Sequence, residues 1–168
     1  MKFLIYTAIS IDGFIARPDG DSDWVKDEDL TQLEKELEEC NSVVVGRNTF
    51  EQYEGELYPV HDVENLLLTA RWKPSKKHKN VKTFATPEDI VTYVNKKRYE
   101  KTLIIGGAET YSSFLTRKLV DEILLSVHPI ILGKGLNVFE EFRGFEDLKL
   151  EETFESKGDL VYLRYKVK

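Results

Sequence analysis

Residues 102–111 read Thr-Leu-Ile-Ile-Gly-Gly-Ala-Glu-Thr-Tyr, and residues 43–49 read Val-Val-Val-Gly-Arg-Asn-Thr. In each, a short apolar run stops at glycine and a helical pattern begins at once. A run of that length, bounded by glycine, reads as a strand buried on both faces. Glycine lets the chain turn tightly and lets a ligand approach the backbone. The helix that follows offers unpaired amides and a partial positive charge, a combination that suits phosphate or pyrophosphate. Two such turns on neighbouring strands would grip opposite ends of one dinucleotide, although either alone also fits a plain strand-to-helix turn. Neither is Gly-x-Gly-x-x-Gly, so the standard dinucleotide fingerprint is not present.

Outward from these turns, apolar runs alternate with helical patterns, the signature of a sheet covered by helices. Phe3 to Ser10 is a near-continuous apolar run and reads as a buried first strand; Asp12-Gly13 and Pro18-Asp19-Gly20 mark the loop after it. A helix is expected from about Asp27 to Glu39, with Leu30, Leu33, Leu37 and Cys40 on one face. Short strands follow at 42–45, 65–69, 81–84 and 102–105, with a short helix near Thr49. Thr86-Pro87-Glu88-Asp89 opens a helix to about Lys97: Thr86 caps, Pro87 suits the first helical position and Asp89 the positive end. The helix after Gly107 runs to about Arg117. Trp72 to Asn80 is basic, contains Pro74 and reads as a surface loop with Lys76, Lys77 and Lys79 solvated. After Val120 the pattern changes. Glu122 to Ile131, Leu148 to Phe154 and Leu160 to Val167 read as strands, with no helix between the last two. Val161, Leu163, Tyr165 and Val167 alternate with more polar positions, as in an antiparallel, half-covered strand. The expectation is one α/β domain over residues 1–168 with a mixed, mostly parallel sheet and antiparallel C-terminal strands.

The 168 residues suit a single core of this kind, and the net charge of −6 repels a phosphate backbone, so nucleic acid is not an expected partner. Cys40 is the single cysteine, which fits a reducing, cytoplasmic setting, and it reads as a small buried residue at a helix end. His61, His78 and His128 are far apart in sequence, and none has a second ligand at metal spacing; no metal is expected. Only Lys2 precedes the apolar Phe3–Ile9 segment and no cleavage site follows, so it does not read as a signal peptide. No stretch approaches the roughly 18 apolar residues that span a membrane.

Two arginines follow strand ends. Arg47 comes directly after Gly46, and Arg71 comes just past Thr69. Strand carboxyl ends are where cofactors dock in open α/β sheets, and a guanidinium binds phosphate in two-pronged geometry. Together they would favour the 2′-phosphate of NADPH over NADH; the alternative is solvated surface arginine.

At these residues the chain becomes recognisable. Ser10-Ile11-Asp12-Gly13-Phe14-Ile15-Ala16, the Gly46-Arg47-Asn48-Thr49 turn and Ile105-Gly106-Gly107 through Tyr111 resemble the dihydrofolate reductase superfamily. Leu119-Val120-Asp121-Glu122-Ile123 and His128-Pro129-Ile130-Ile131-Leu132-Gly133-Lys134-Gly135 strengthen the match, most of all with the C-terminal reductase domain of bifunctional riboflavin-biosynthesis deaminase-reductases. The resemblance covers nearly the whole chain. It implies a dihydrofolate-reductase-like three-layer α/β/α fold and a stand-alone reductase with NADPH as cofactor. By the same resemblance, Ala8 and Ile15 would lie against the nicotinamide. Gly46, Arg47 and Thr49 would hold the adenosine side and pyrophosphate, and Thr69 and Arg71 would sit by the ribose and its 2′-phosphate. Gly107, Ala108, Thr110 and Tyr111 would cover the pyrophosphate and nicotinamide half.

The expected substrate is a small pterin- or pyrimidine-like heterocycle. Family members that reduce the phosphoribosylaminouracil intermediate of riboflavin synthesis usually carry a basic residue after Ser-x-Asp-Gly and a glutamate before Gly-Gly. Phe14 and Ile105 stand there instead. That difference tilts the expectation towards a dihydrofolate-like substrate. Trp24 followed five residues later by Asp29 resembles the acid arrangement of dihydrofolate reductases, so Asp29 is the candidate catalytic acid, although it also suits a helix N-terminus. Asp12 reads as a turn residue. Tyr53, Phe50 and Trp24 are candidates to stack on a flat ring. Two other readings stay open: 5-amino-6-(5-phosphoribosylamino)uracil reductase, in which Phe14 is a selecting position, and a non-catalytic nucleotide-binding protein. A homodimer is expected from the apolar Ile123–Leu132 segment and the alternating C-terminal strand. Lys134 and Arg143 could each touch an anionic substrate, although solvated surface is the favoured reading.

Overall fold

Residues alternate in and out along each strand, and here both sides of the sheet are apolar, so each needs a layer of helix. The computed structural model describes residues 1–71 and 78–168. In chain order the elements are β1 (Lys2–Ser10), β2 (Phe14–Ala16), α1 (Asp27–Glu38), β3 (Ser42–Gly46), α2 (Arg47–Gln52), β4 (Glu64–Leu68) and β5 (Val81–Phe84). There follow α3 (Pro87–Lys97), β6 (Lys101–Ile104), α4 (Ala108–Thr116), β7 (Glu122–His128), β8 (Leu136–Asn137), β9 (Leu148–Ser156) and β10 (Leu160–Val167). The eight-stranded sheet has the order β5-β4-β3-β6-β1-β7-β10-β9. It is parallel from β5 to β7, while β10 runs antiparallel to both β7 and β9. β2 and β8 form a separate two-stranded ribbon. Of the loop expected at 72–80, residues 72–77, with Lys76 and Lys77, lie outside the described residues.

One face of the sheet, through Phe3, Ile5, Val44, Leu66 and Ile104, packs on Ile90 and Val94 of α3 and on Phe114 and Leu115 of α4. The other face takes Leu33 and Leu37 of α1 over Leu4, Tyr6, Val43 and Leu103, and Phe50 of α2 over Val45 and Leu67. The three layers are those the sequence leads one to expect.

Three details differ from expectation. First, α1 does not bury a purely apolar face: Leu30 is 42% exposed, whereas Asp29 and Glu36 are each only 4% exposed. The sheet supplies polar partners under both acids. Lys101 Nζ reaches Glu36 Oε2 at 2.8 Å, and Arg164 bonds its other oxygen. Second, β7 stops at His128, short of Ile131, because Pro129 has no amide to give the ladder. Ile123 and Leu124 are buried inside the sheet, so within the Ile123–Leu132 segment the apolar exposure is at Ile131, 72% exposed; the exposed sheet edge is β9, with Leu150 51% exposed. Third, β2 and β8, three and two residues long, are too short to show a period in sequence.

Thr86 caps α3 as read: its hydroxyl accepts from Asp89 N at 3.2 Å and donates to Asp89 Oδ2 at 2.8 Å. Cys40 is buried and its thiol is pushed up to about 12, chiefly by that burial. Among the described residues no helix is long and apolar enough to cross a membrane.

Candidate functional site

The parallel strands β1, β3, β4 and β6 end on the same side, and a cleft of about 1000 Å³ opens over their carboxyl ends. This is where ligands dock in open α/β sheets. One wall is built by the two glycine turns. Gly46 N donates to Gly106 O at 2.8 Å, which sets the turns side by side. A Cβ on Gly46 would sit 2.6 Å from Thr110 Oγ1, and one on Gly107 would sit 2.9 Å from Thr49 Oγ1. Each turn needs glycine because the other turn's threonine fills the space. The Gly106–Gly107 peptide is cis.

The helices rising from these turns are uncapped. Neither Gly46, before α2, nor Gly107, before α4, provides a side-chain cap. At α4 the Thr110 and Tyr111 amides fold back on Gly107 O at 2.9 and 3.1 Å, which leaves those of Ala108 and Glu109 without an acceptor among the described residues. Ala108 and Glu109 line the cleft. Amides left open at the positive end of a helix can hold an anion.

The structure brings most of the expected binding residues together. Ala8 and Ile15 line the cleft, as do Gly46, Arg47, Thr49 and Thr69, and Gly107, Ala108, Thr110 and Tyr111. Tyr111 OH donates to Tyr6 O at 3.2 Å, and burial raises its pKa well above the usual phenol value. Arg47 is half exposed, with Nη1 3.0 Å from Glu51 Oε2. Arg71 is exposed and does not line the cleft, so among described residues the positive charge there rests on Arg47.

The facing wall belongs to α1 and to the loop after α2. Asp29, on the first turn of α1, lies over the sheet and is 4% exposed. Its Oδ1 accepts from Tyr6 OH at 2.8 Å and from Tyr162 OH at 2.9 Å. Burial first, and then the Asp29 charge, raise the pKa of both tyrosines, so both are neutral donors. Asp29 Oδ2 takes no hydrogen bond among the described residues, and Asp29 lines the cleft. Beside this group His128 is 1% exposed; its Nε2 lies 3.3 Å from Ser126 Oγ, and its Nδ1 has no hydrogen-bond partner among the described residues. Burial holds the His128 pKa below its usual value, so the ring is neutral near pH 7.

Several candidates fall elsewhere. Phe50 is fully buried against Tyr58 and His78, with ring centroids 5.7 and 5.8 Å away, and cannot stack on a ligand. Trp24 meets His128 edge to face at 5.3 Å and does not line the cleft. Tyr53 does line it, with its OH 2.7 Å from Ser22 Oγ. Phe14 pairs with Asn137 in the β2–β8 ribbon, outside the lining. Lys134 and Arg143 are exposed and also lie outside it. Asp12 is a turn residue as read: its carboxylate accepts from Leu132 N at 3.1 Å and Gly133 N at 2.7 Å. Sequence reasoning missed Tyr6 and Tyr162. The available signal was a phenol inside a buried strand, which needs a polar partner from the layer above.

Known proteins share this fold over nearly the whole chain. The model of the family described as the RibD C-terminal domain matches residues 2–65 and 59–162. Two Bacillus subtilis proteins, the uncharacterized YwjB and YyaP, are 29% and 27% identical over 98% of this chain and over 97% and 94% of their own lengths. The dihydrofolate reductase of Candida albicans is 27% identical over 61% of this chain and 53% of its own. Among solved structures, a putative riboflavin biosynthesis protein from Shewanella sp. PV-4 has a TM-score of 0.86 at 24% identity, covering 100% of this chain and 99% of that one. A diaminohydroxyphosphoribosylaminopyrimidine deaminase/5-amino-6-(5-phosphoribosylamino)uracil reductase from Thermotoga maritima has a TM-score of 0.80 at 19% identity, covering 99% of this chain and 56% of that one. At these identities the structural likenesses speak for the fold.

Proposed function

The chain belongs to the RibD C-terminal domain family, and from that premise we propose that it is a reductase that uses NADPH to transfer hydride to a small pterin- or pyrimidine-like heterocycle. The observation that carries this reading is a single cleft with two unlike walls: open helix amides and Arg47 on one, a buried carboxylate held by two tyrosines on the other. Its volume, about 1000 Å³, is at the top of the range for one small-molecule site and leaves room for a cofactor and an acceptor together.

The residues present fit the cofactor. The α4 amides of Ala108 and Glu109 are open to a pyrophosphate, and the glycine turns let the backbone approach it. Arg47 would pair with the 2′-phosphate, and Thr69 would sit by the ribose. Ala8 and Ile15 give an apolar floor for the nicotinamide. NADPH, when bound, supplies the hydride; the chain's part is alignment and proton handling. Tyr6 and Tyr162 fix Asp29 through Oδ1. Oδ2 is then the atom that accepts an N–H of the acceptor ring on binding; the proton that balances the hydride comes from solvent water, which protonates Oδ2 before that oxygen donates to the ring. Leu33, Leu37 and Leu57 line the same wall and give apolar surface for a flat ring.

The preference for dihydrofolate that Ile105 suggested finds no support in the comparisons. Ile105 packs between the apolar clusters of the α1/α2 face, which accounts for an aliphatic side chain there. A second reading, 5-amino-6-(5-phosphoribosylamino)uracil as substrate, is favoured by the family match itself. Turnover of both substrates side by side under NADPH tests the proposal. Oxidation of NADPH with either supports a reductase. NADPH binding without turnover over a broad heterocycle panel would leave only a nucleotide-binding role.

A further inference from the structure

Under α1 the sheet carries a short polar column that the reaction outlined above does not use. Leu124 of β7 packs on the face that α1 covers, so Ser126 and His128, two and four residues on, point to that face as well. Ser126 is 0% and His128 1% exposed. A buried polar group costs stability unless it is paired, so a face closed by a helix is ordinarily apolar. These two side chains are joined instead to the carboxylate of the site. Ser126 stands opposite Tyr162 in the β7–β10 register. Burial raises the Tyr162 pKa; the Ser126 hydroxyl works the other way, as a donor to the phenol oxygen does. Tyr162 OH donates in turn to Asp29 Oδ1 at 2.9 Å. On its other side Ser126 Oγ meets His128 Nε2 at 3.3 Å.

Counting protons gives this column a direction. A hydroxyl has one proton to donate. Tyr162 gives its own to Asp29, so towards Ser126 its oxygen accepts. Ser126 then has no proton left for the imidazole, and its oxygen accepts from Nε2–H. In that tautomer Nδ1 is bare, and Nδ1 is the ring atom without a hydrogen-bond partner among the described residues. The opposite tautomer would bury an N–H there. Trp24, which His128 meets edge to face at 5.3 Å, offers that N–H no lone pair, because an indole nitrogen only donates. Burial keeps the ring neutral near pH 7, and its charged neighbours Asp29 and Lys26 act on it in opposite directions.

We propose that Ser126 and His128 are positioning residues for Asp29: His128 Nε2–H donates to Ser126, Ser126 to Tyr162 and Tyr162 to Oδ1, which keeps proton exchange at Asp29 on Oδ2. No proton travels along the chain. Donors in series strengthen one another and hold the Tyr162 hydroxyl on Oδ1. Without them that hydroxyl is free to turn away, and Oδ1 then competes with Oδ2 for the proton that the ring needs. The role at Asp29 rests on the reductase reading; the direction of the chain does not.

Nitrogen-15 NMR of the ligand-free protein, labelled at histidine and measured near neutral pH, reads the tautomer, with His128→Gln to assign the signals. We expect a protonated Nε2 and a bare Nδ1 at His128; a protonated Nδ1 would overturn the proposal. Steady-state kinetics reads the role, with NADPH and whichever of dihydrofolate and 5-amino-6-(5-phosphoribosylamino)uracil is turned over. Ser126→Ala and His128→Leu should each lower kcat about tenfold at unchanged KM for NADPH. His128→Gln, which keeps an N–H near the Nε2 position, should recover most of that loss. Unchanged kcat in Ser126→Ala would overturn the proposal, as would an equal loss in His128→Gln and His128→Leu. Turnover of neither substrate would count against the reductase reading, and the His128 tautomer would still decide the direction of the chain.

Discussion

Asp29 lines the cleft with one oxygen held by two buried phenols and the other without a hydrogen bond among the described residues. Asp29→Asn keeps an acceptor for the tyrosines but cannot pass a proton. It should lower kcat by about 100-fold or more while leaving NADPH affinity unchanged, as measured by steady-state kinetics beside a binding titration. Gly46 is a packing requirement: Gly46→Ala drives a methyl group onto Thr110 Oγ1 and should cost about 2 kcal/mol in denaturant unfolding. Adding Thr110→Ala should recover part of that, since the two sites share one contact. His128 gives a pH signature. Burial lowers its pKa in the folded protein below the usual 6.5, so the unfolded chain binds the extra proton more readily. The stability this contributes is present above pH 6.5 and is lost as pH falls through the folded value. Thermal melts should therefore fall below pH 6.5 in the wild type and stay flatter in His128→Gln. At this scale the cofactor residues were legible because glycine and arginine at strand ends have few other uses. Tyr6 and Tyr162 were not, because a tyrosine inside an apolar strand looks like core until its partner is seen.

Helix α1 carries its polar load on the side that faces the sheet. Burial disfavours the Glu36 charge, but Lys101 and Arg164 outweigh it and hold the carboxyl below the usual range. Glu36→Ala would remove the most buried partner of Lys101 and Arg164, leaving them Glu39, Glu122 and Glu152, and should cost about 2 kcal/mol by chemical denaturation. Thr86→Ala, at the start of α3 and away from the cleft, should cost about 1 kcal/mol and leave NADPH binding untouched. That cap was readable because Thr-Pro-Glu-Asp is a local signal. The face of α1 was misread because helical period alone cannot tell a buried acid with partners from a solvated one. The end of β7 was misread because the apolar run continues past Pro129 although the ladder does not.

The topology follows from the order of patterns: parallel strands while helices intervene, antiparallel once they cease after β7. That switch was visible in sequence, and so was the edge at which the cleft would open. The charge of the cleft was not, since Glu34, Glu56 and Glu140 come from three distant segments that only the fold assembles. The homodimer also belongs to this scale, as a proposal. The β9 edge, with Leu148 36% and Leu150 51% exposed, supports pairing of two copies. Light scattering should then give twice the chain mass, and Leu150→Glu should reduce it to one. The central claim, that this cleft holds NADPH, is tested most directly by calorimetric titration of the protein with NADPH and NADH beside Arg47→Ala. Micromolar NADPH binding is expected, weaker for NADH and weakened in Arg47→Ala. No binding of either nucleotide at millimolar concentration would contradict it.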